Sequence, residues 1–208
     1  MIYDLMLKRR SVRRFTKRKP SKKALEMLIG AAALAPSASN KQPWRFHVVR
    51  NKDLIKAAAR EVEKERRKVI LMVIEDFRAQ FAEYSKNFLA FEHAPALIVP
   101  TCRIFPLLSH LLDENEQSGY SGIINKIEYD SAVISTACAI QNILLMAEDM
   151  GLGACCMTGP LIATDALKKT LAIHEDWDIA ALIAVGYADE APPMPSRKPI
   201  SSILKWHL

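Results

Sequence analysis

Arg9-Arg10-Ser11-Val12-Arg13-Arg14-Phe15 and, further on, Ala35-Pro36-Ser37-Ala38-Ser39-Asn40-Lys41-Gln42-Pro43-Trp44 are the two stretches on which the reading of this chain turns. The first sets fork-shaped guanidinium groups and a hydroxyl within one turn of chain, an arrangement suited to gripping a phosphate bidentately. The second is too rich in proline and small polar residues for a helix or a strand, and reads as a structured loop. Ser37, Ser39, Asn40 and Gln42 on that loop offer hydroxyls and carboxamides that donate and accept at the edge of a flat polar ring. Read singly, the first stretch is more often a solvated basic face than a site, and the second reads first as a set of caps and turns.

Outward from these stretches the pattern is mixed. Tyr3–Arg9 reads as a short helix, and Ser21–Leu34 reads as a second one, with Ser21 as N-cap and Leu25, Leu28, Ile29 and Ala32 at helical spacing. Trp44–Val49 has strand character, and Lys52 to about Phe91 is a charged helical stretch with a break expected near Val69 or Asp76. Ala96–Thr101, bounded by Pro95 and interrupted by Pro100, suits a buried strand near its end or at a sheet edge. Arg103–Lys126 shows little periodicity and is a candidate mobile cover over a site. Glu128–Met150 reads as a long helix, apolar around most of its circumference and therefore buried on several sides. Gly151-Leu152-Gly153 ends it; a short strand over Ala154–Thr158, a helix over Leu161–Leu171 and a buried strand over Ile179–Gly186 follow, and Pro192–Pro199 is irregular.

Composition narrows the function. The 208 residues, 50% hydrophobic and 25% charged, suit one packed domain over residues 1–208, without repeat or linker. No signal-peptide core and no uninterrupted apolar run of membrane-spanning length was found, so a cytoplasmic address and no membrane partner are expected. Cys102, Cys138, Cys155 and Cys156 form no C-x-x-C pair and no zinc spacing, and read as reduced thiols; no metal is expected. The net charge of +6 is concentrated between Lys8 and Lys23. That run is open to nucleic acid, but without interleaved aromatics or a recognition module no nucleic-acid partner is expected. Gly151-x-Gly153 follows a helix and lacks the third glycine of a dinucleotide fingerprint. No Walker loop or G-x-S-x-G elbow is present, and the five histidines stand apart.

Taken together, the two opening stretches resemble the N-terminal signature of the nitroreductase family of FMN enzymes. Ala139-Ile140-Gln141-Asn142, Gly151-Leu152-Gly153, Thr158-Gly159-Pro160, Val185-Gly186-Tyr187 and Pro195-Ser196-Arg197-Lys198-Pro199 extend the resemblance along the chain in the family's order; only Asn51–Lys126 carries no recognisable motif. The resemblance implies an α+β fold with a central, mainly antiparallel sheet flanked by helices, in an intertwined homodimer. It further implies FMN as cofactor, with Arg9, Arg10, Ser11 and Arg13 at its phosphate, ribityl or pyrimidine edge. Asn40 and Gln42 fall at the isoalloxazine, with Pro36 and Ser39 on the same loop and Ser37 reaching across the dimer interface. Met157, Thr158 and Gly159 come near the ring, and Arg197 and Lys198 close over the phosphate. No side chain is implied as catalytic, because the flavin carries the chemistry. NADH or NADPH would reduce a small acceptor such as a nitroaromatic or quinone in a ping-pong cycle. Dehalogenation, enone or flavin reduction, oxidative breakdown of flavin, and a non-catalytic flavin-binding or sensing role are the alternatives.

Overall fold

The computed structural model describes residues 1–111 and 120–207. Among these residues six α-helices, α1 (Ile2–Lys8), α2 (Lys22–Ala33), α3 (Lys52–Met72), α4 (Glu75–Tyr84), α5 (Ser121–Asp149) and α6 (Thr164–Thr170), surround strands β1 (Trp44–Val49), β2 (Ala96–Cys102), β3 (Gly153–Met157), β4 (Asp178–Ile179) and β5 (Leu182–Gly186). The strands lie in the order β1-β2-β5-β3, with β4 continuing on β2, and every ladder is antiparallel. The α+β sheet that the resemblance implies is therefore the one observed.

Side-chain alternation along the strands splits the core in two. Leu97, Val99, Leu182 and Ala184 face α3, α6 and the Phe88–Phe91 turn, whereas Ile98, Ile183, Val185 and Ala154 face α2 and α5. β2 is buried at all seven positions, which is why its sequence is a continuous apolar run and not an alternating one. Of the two placements its prolines leave open, a buried strand near its end or a sheet edge, the first is the one observed: β2 is interior, flanked by β1 and β5, and Pro100 stands near its end. Pro100 fits because its backbone faces the gap where the partner changes from β5 to β4. Its carbonyl accepts from Ala180 N at 2.9 Å, and no ladder bond is asked of its missing N–H.

Other expectations shift in detail. Ser21 caps α2, its Oγ accepting from the N–H of Ala24 at 3.0 Å. The Lys52–Phe91 stretch breaks at Val73–Ile74, two extended β-branched residues, close to Asp76, the second of the two places expected, and not near Val69. Arg66 ties the two pieces, donating to Glu63, Ala82 O and Ser85 Oγ, and its hydrogen bond holds the Glu63 carboxyl down at about 2. The expected strand over Ile179–Gly186 is broken at Ala180–Ala181 into β4 and β5. α5 starts at Ser121, earlier than its periodicity suggests, so the low-periodicity insert is shorter than Arg103–Lys126; its residues 112–119 lie outside the described residues. In the single chain α5 is not buried on several sides: Ile123, Ile127, Tyr129 and Ile134 are exposed on its first half. By length and composition α5 is apolar enough to cross a membrane, contrary to the expectation that no run is, but it lays one face on the sheet and on α2.

Candidate functional site

The basic segment runs extended along the outer side of β3. Ser11 bridges Ala154 in parallel, and the N–H of Val12 donates to the Ala154 carbonyl at 3.0 Å. The approach requires glycine at 153, where a Cβ would lie 2.8 Å from the Val12 side chain. Extended backbone sends alternate side chains to opposite sides. Val12 is buried and Arg10 shares its side, lining a groove with Glu148 and Gly151; Arg10 Nη1 donates to the carbonyls of Leu7 and Arg9 at 2.7 and 2.8 Å, closing the end of α1. Arg9, Ser11 and Arg13 take the other side, next to Cys155, whose thiol pKa burial pushes up, the two arginines offsetting only part of the rise. Glu190, the carboxylate nearby, is already taken by the N–H groups of Arg13 (2.6 Å) and Arg14 (3.0 Å) and by Arg14 Nε (3.1 Å). Burial raises its pKa, but these bonds outweigh it and hold the group ionised below the usual carboxylate range. Among the described residues the guanidinium groups of Arg9 and Arg13 thus have no carboxylate partner.

β3 leads into Thr158 and Gly159. Gly159 lies flat on the Phe88 ring, where a Cβ would come 2.2 Å from Cδ1. Phe88 is itself wedged edge-on against Phe81 and Tyr84, at 6.3 and 5.7 Å between centroids. Met157 is buried beneath the turn and Thr158 is exposed on it.

The Pro36–Pro43 loop holds three non-glycine residues in the left-handed region, Ser39 (φ 47°), Asn40 (φ 51°) and Gln42 (φ 48°). Such backbone strain persists only where the surroundings impose it, and it gathers at binding sites. Here the surroundings are short hydrogen bonds. Ser37 Oγ accepts from Gln42 N at 3.0 Å, Ser37 O from Asn40 N at 3.0 Å, and Asn40 Oδ1 from Gln42 Nε2 at 3.3 Å. The N–H of Ala38 donates to Ser135 Oγ on α5 at 3.3 Å, anchoring the loop to the helix.

Between this loop and α5 opens a cavity of about 190 Å3, with Lys41 and Arg103 among charged lining residues and Phe105, Leu107, Leu108 and Ile127 among apolar ones. Its far wall hangs on Glu128. That carboxylate accepts the N–H groups of Leu107 (2.7 Å), Leu108 (2.7 Å) and Ser109 (3.1 Å) and the Ser109 hydroxyl (2.9 Å). Burial raises its pKa, and the bonds from Ser109, Leu107 and Leu108 more than reverse this. Sequence reasoning gave Glu128 no role, because its partners are mostly backbone N–H groups, which no residue pattern announces.

The structure therefore groups the predicted residues in sets. Arg9, Ser11 and Arg13 stand together beside the strand that leads to Met157, Thr158 and Gly159, and Pro36, Ser37, Ser39, Asn40 and Gln42 share the loop that precedes β1. Arg10 turns away from its neighbours. The carboxyl ends of β2 and β3 and the amino end of β1 lie at one end of the sheet, so the loop, Arg103 and Gly159 open on the same side. Within one chain, however, β1 and β3 are the two edges, three interstrand spacings or about 14 Å apart. Arg197 and Lys198 lie in the exposed tail, and no hydrogen bond or ion pair among the described residues joins them to Arg9 or Arg13.

Comparison with known proteins matches residues 6–187 to the model of the Nitroreductase family. An iodotyrosine dehalogenase 1 homolog from Caenorhabditis elegans is 28% identical over 99% of the chain, which spans 61% of that relative's length. An NADH dehydrogenase from Thermus thermophilus is 29% identical, over 96% of the chain and 93% of its own. Among solved structures, a BluB-like flavoprotein from Clostridium difficile 630 superposes with a TM-score of 0.88 at 26% identity, covering 100% of this chain and 99% of that one. An iodotyrosine deiodinase bound to FMN and 3-iodo-L-tyrosine superposes with a TM-score of 0.75 at 26% identity, covering 100% of both chains.

Proposed function

The chain belongs to the nitroreductase family, and on that premise we propose that it is an FMN-dependent oxidoreductase, active as a homodimer, that passes reducing equivalents from NADH or NADPH to a small acceptor such as a nitroaromatic or quinone. The observation that carries the reading is the face shared by Arg9, Ser11 and Arg13, two guanidinium groups without carboxylate partners among the described residues and a hydroxyl, fixed beside the strand that leads to Gly159. A phosphate fits that face, since it completes the bidentate pairing that the nearby Glu190, already bonded to backbone, does not supply. The flavin relative and the NADH dehydrogenase relative support the choice of cofactor and donor.

When bound, FMN supplies the hydride chemistry. The protein's part is to hold and orient the group and to leave one face open. Asn40 and Gln42 bring carboxamides suited to a ring edge, and the close seat of Gly159 on Phe88 keeps side-chain bulk away from the turn it shares with Thr158. The dimer is inferred from two features of the single chain. The loop and the basic face sit on opposite sheet edges, so a second copy is the economical way to complete one site, Ser37 of one chain approaching Arg9 and Arg13 of the other. Apolar side chains also stand exposed on α1 (Ile2, Tyr3), on the first half of α5 and on the tail (Ile200, Ile203, Trp206), more than an isolated chain normally leaves to water. In such a pair the tail would carry Arg197 and Lys198 to the phosphate. A cytoplasmic address goes with this reading.

Reductive dehalogenation is the second reading, favoured by the deiodinase relatives. One experiment addresses both: anaerobic titration of the purified protein with NADH and NADPH, then reoxidation by a panel containing a nitroaromatic, a quinone and 3-iodo-L-tyrosine. Yellow protein, bleached by the nicotinamide and recoloured by an acceptor, is the expected result. Colourless protein that takes up no added FMN ends the proposal, and flavin that neither nicotinamide reduces leaves the storage or sensing role.

A further inference from the structure

We propose that the cavity between the Pro36–Pro43 loop and α5 is a binding site for a planar, apolar acceptor bearing one carboxylate, with Lys41 and Arg103 as its anion-binding pair and Glu128 as the residue that positions its wall. The word acceptor rests on the oxidoreductase reading above; the site itself rests on the geometry.

Size comes first. A dry protein cavity of about 150 Å3 takes up benzene, so a space of about 190 Å3 admits one aromatic ring with small substituents. Phe105, Leu107, Leu108 and Ile127 provide the apolar walls that such a ring prefers.

Charge then selects among rings. Among the described residues three ionisable side chains line the cavity, Lys41, Arg103 and Glu128. The carboxylate of Glu128 is committed to four neutral donors from Leu107, Leu108 and Ser109, so its oxygens are turned to the wall and are not free to pair with Lys41 or Arg103. The two cations are not committed in this way. Lys41 has no ion pair among the described residues, and Arg103 has only a 4.0 Å contact with Asp176, both side chains about half exposed. Their placement is fixed by backbone: Arg103 N donates to Pro43 O at 2.9 Å, which sets residue 103 beside the loop that carries Lys41. A carboxylate entering there gains an ammonium and a guanidinium at once, whereas a neutral ring leaves both in water.

Glu128 acts through the wall. Its bonds fix three successive N–H groups, and with them the backbone that carries Leu107 and Leu108 into the cavity. Removing the charge weakens all of these bonds together and affects charged and neutral ligands alike, which distinguishes its role from that of the cation pair.

Calorimetric binding of para-nitrobenzoate and of its methyl ester to the purified protein tests this without turnover. We expect the carboxylate to bind about tenfold more tightly than the ester, the equivalent of one charge-assisted hydrogen bond. Lys41→Ala and Arg103→Ala should each weaken the carboxylate about fivefold and move the ester less than about twofold, with Arg103→Lys recovering part of the loss. Glu128→Gln should weaken both ligands by a similar factor; if that variant does not fold, Ser109→Ala probes the same wall. Equal affinity for acid and ester, or no binding of either because a second copy of the chain fills the cavity, overturns the proposal. Protein that binds the nitrobenzoate but is not reduced by NADH or NADPH keeps this site and loses the oxidoreductase reading; turnover of neutral quinones without carboxylate binding does the reverse.

Discussion

Along β3 the candidate site is built by contact: Val12 rests on the bare Cα of Gly153, and Phe88 rests on that of Gly159, each with no room for a methyl group. Along β1 it is built by hooks, with Ser37, Ser135 and Glu128 each holding backbone N–H groups while the space between them stays open. The two constructions fail differently. A close-packed backbone is disturbed by volume and indifferent to charge, whereas a hooked wall tolerates volume and shifts when a single acceptor loses its charge. That division suits a site with one end that keeps a constant partner and another that admits changing ones.

The largest expected effect lies at the packed end. Gly159→Ala drives a Cβ into the Phe88 ring, which Phe81 and Tyr84 keep from turning aside. Overpacking of this kind should cost about 2–3 kcal/mol in urea denaturation; an unchanged midpoint would show that the ring yields and that the packed end is softer than its geometry. Next comes the face opposite Val12. Arg9→Ala and Arg13→Ala should each weaken FMN retention about tenfold, one charge-assisted bond apiece. Arg10→Ala should change it less than about threefold, because Arg10 caps α1 instead. Equal losses at Arg9 and Arg10, read by fluorescence titration of released flavin, would remove the assignment by side.

This contrast also explains what the sequence disclosed. At the packed end the basic run, the Gly-x-Gly turn and the buried strand are each legible in their own segments from residue type, but their meeting is not, because Val12 reaches Gly153 and Ala154, and Phe88 reaches Gly159, across long stretches of chain. The alternation that separates Arg10 from Arg9 and Arg13 was missed because the run was read as a patch, when extended backbone divides it. For β2 the sequence leaves two placements open, a buried strand near its end or a sheet edge, and Pro100 decides between them only once the change of partner from β5 to β4 is known. At the hooked end the Pro36–Pro43 loop was legible from composition. Its wall was not, because Glu128 meets Leu107–Ser109 across about twenty residues through backbone groups, and apolar exposure on the first half of α5 blurred where that helix begins.

The hooks should respond to acid. Glu128 has its folded pKa below the ordinary glutamate value of about 4.3. Its contribution is therefore complete above that value and is lost as pH falls through the folded one. Amide exchange at Leu107, Leu108 and Ser109, corrected for its intrinsic pH dependence, should lose protection as pH falls through the lowered folded pKa of Glu128, while the Gly159 turn stays protected. In Glu128→Gln the protection should already be reduced at neutral pH, by about 1 kcal/mol of opening free energy, and its acid dependence should disappear. Acid-independent protection in the parent protein would mean that the wall is packed and not hooked.

The smallest effect separates strain from hooks within the loop itself. Ser39 sits at φ 47° with an exposed side chain, so glycine there relieves a left-handed conformation that costs an L-residue about 1–2 kcal/mol. Part of that gain is returned as chain entropy of the unfolded state, about 0.5–1 kcal/mol for glycine relative to alanine. Ser39→Gly should therefore stabilise the fold by about 0.5 kcal/mol, whereas Ser37→Ala, which strips the acceptor from Gln42 N, should destabilise it by about 1 kcal/mol. Opposite signs two residues apart in thermal denaturation are what a strained loop held by a hydrogen bond requires. A loss at both positions would mean that the left-handed backbone is not a store of strain, and that the loop depends on its side chains throughout.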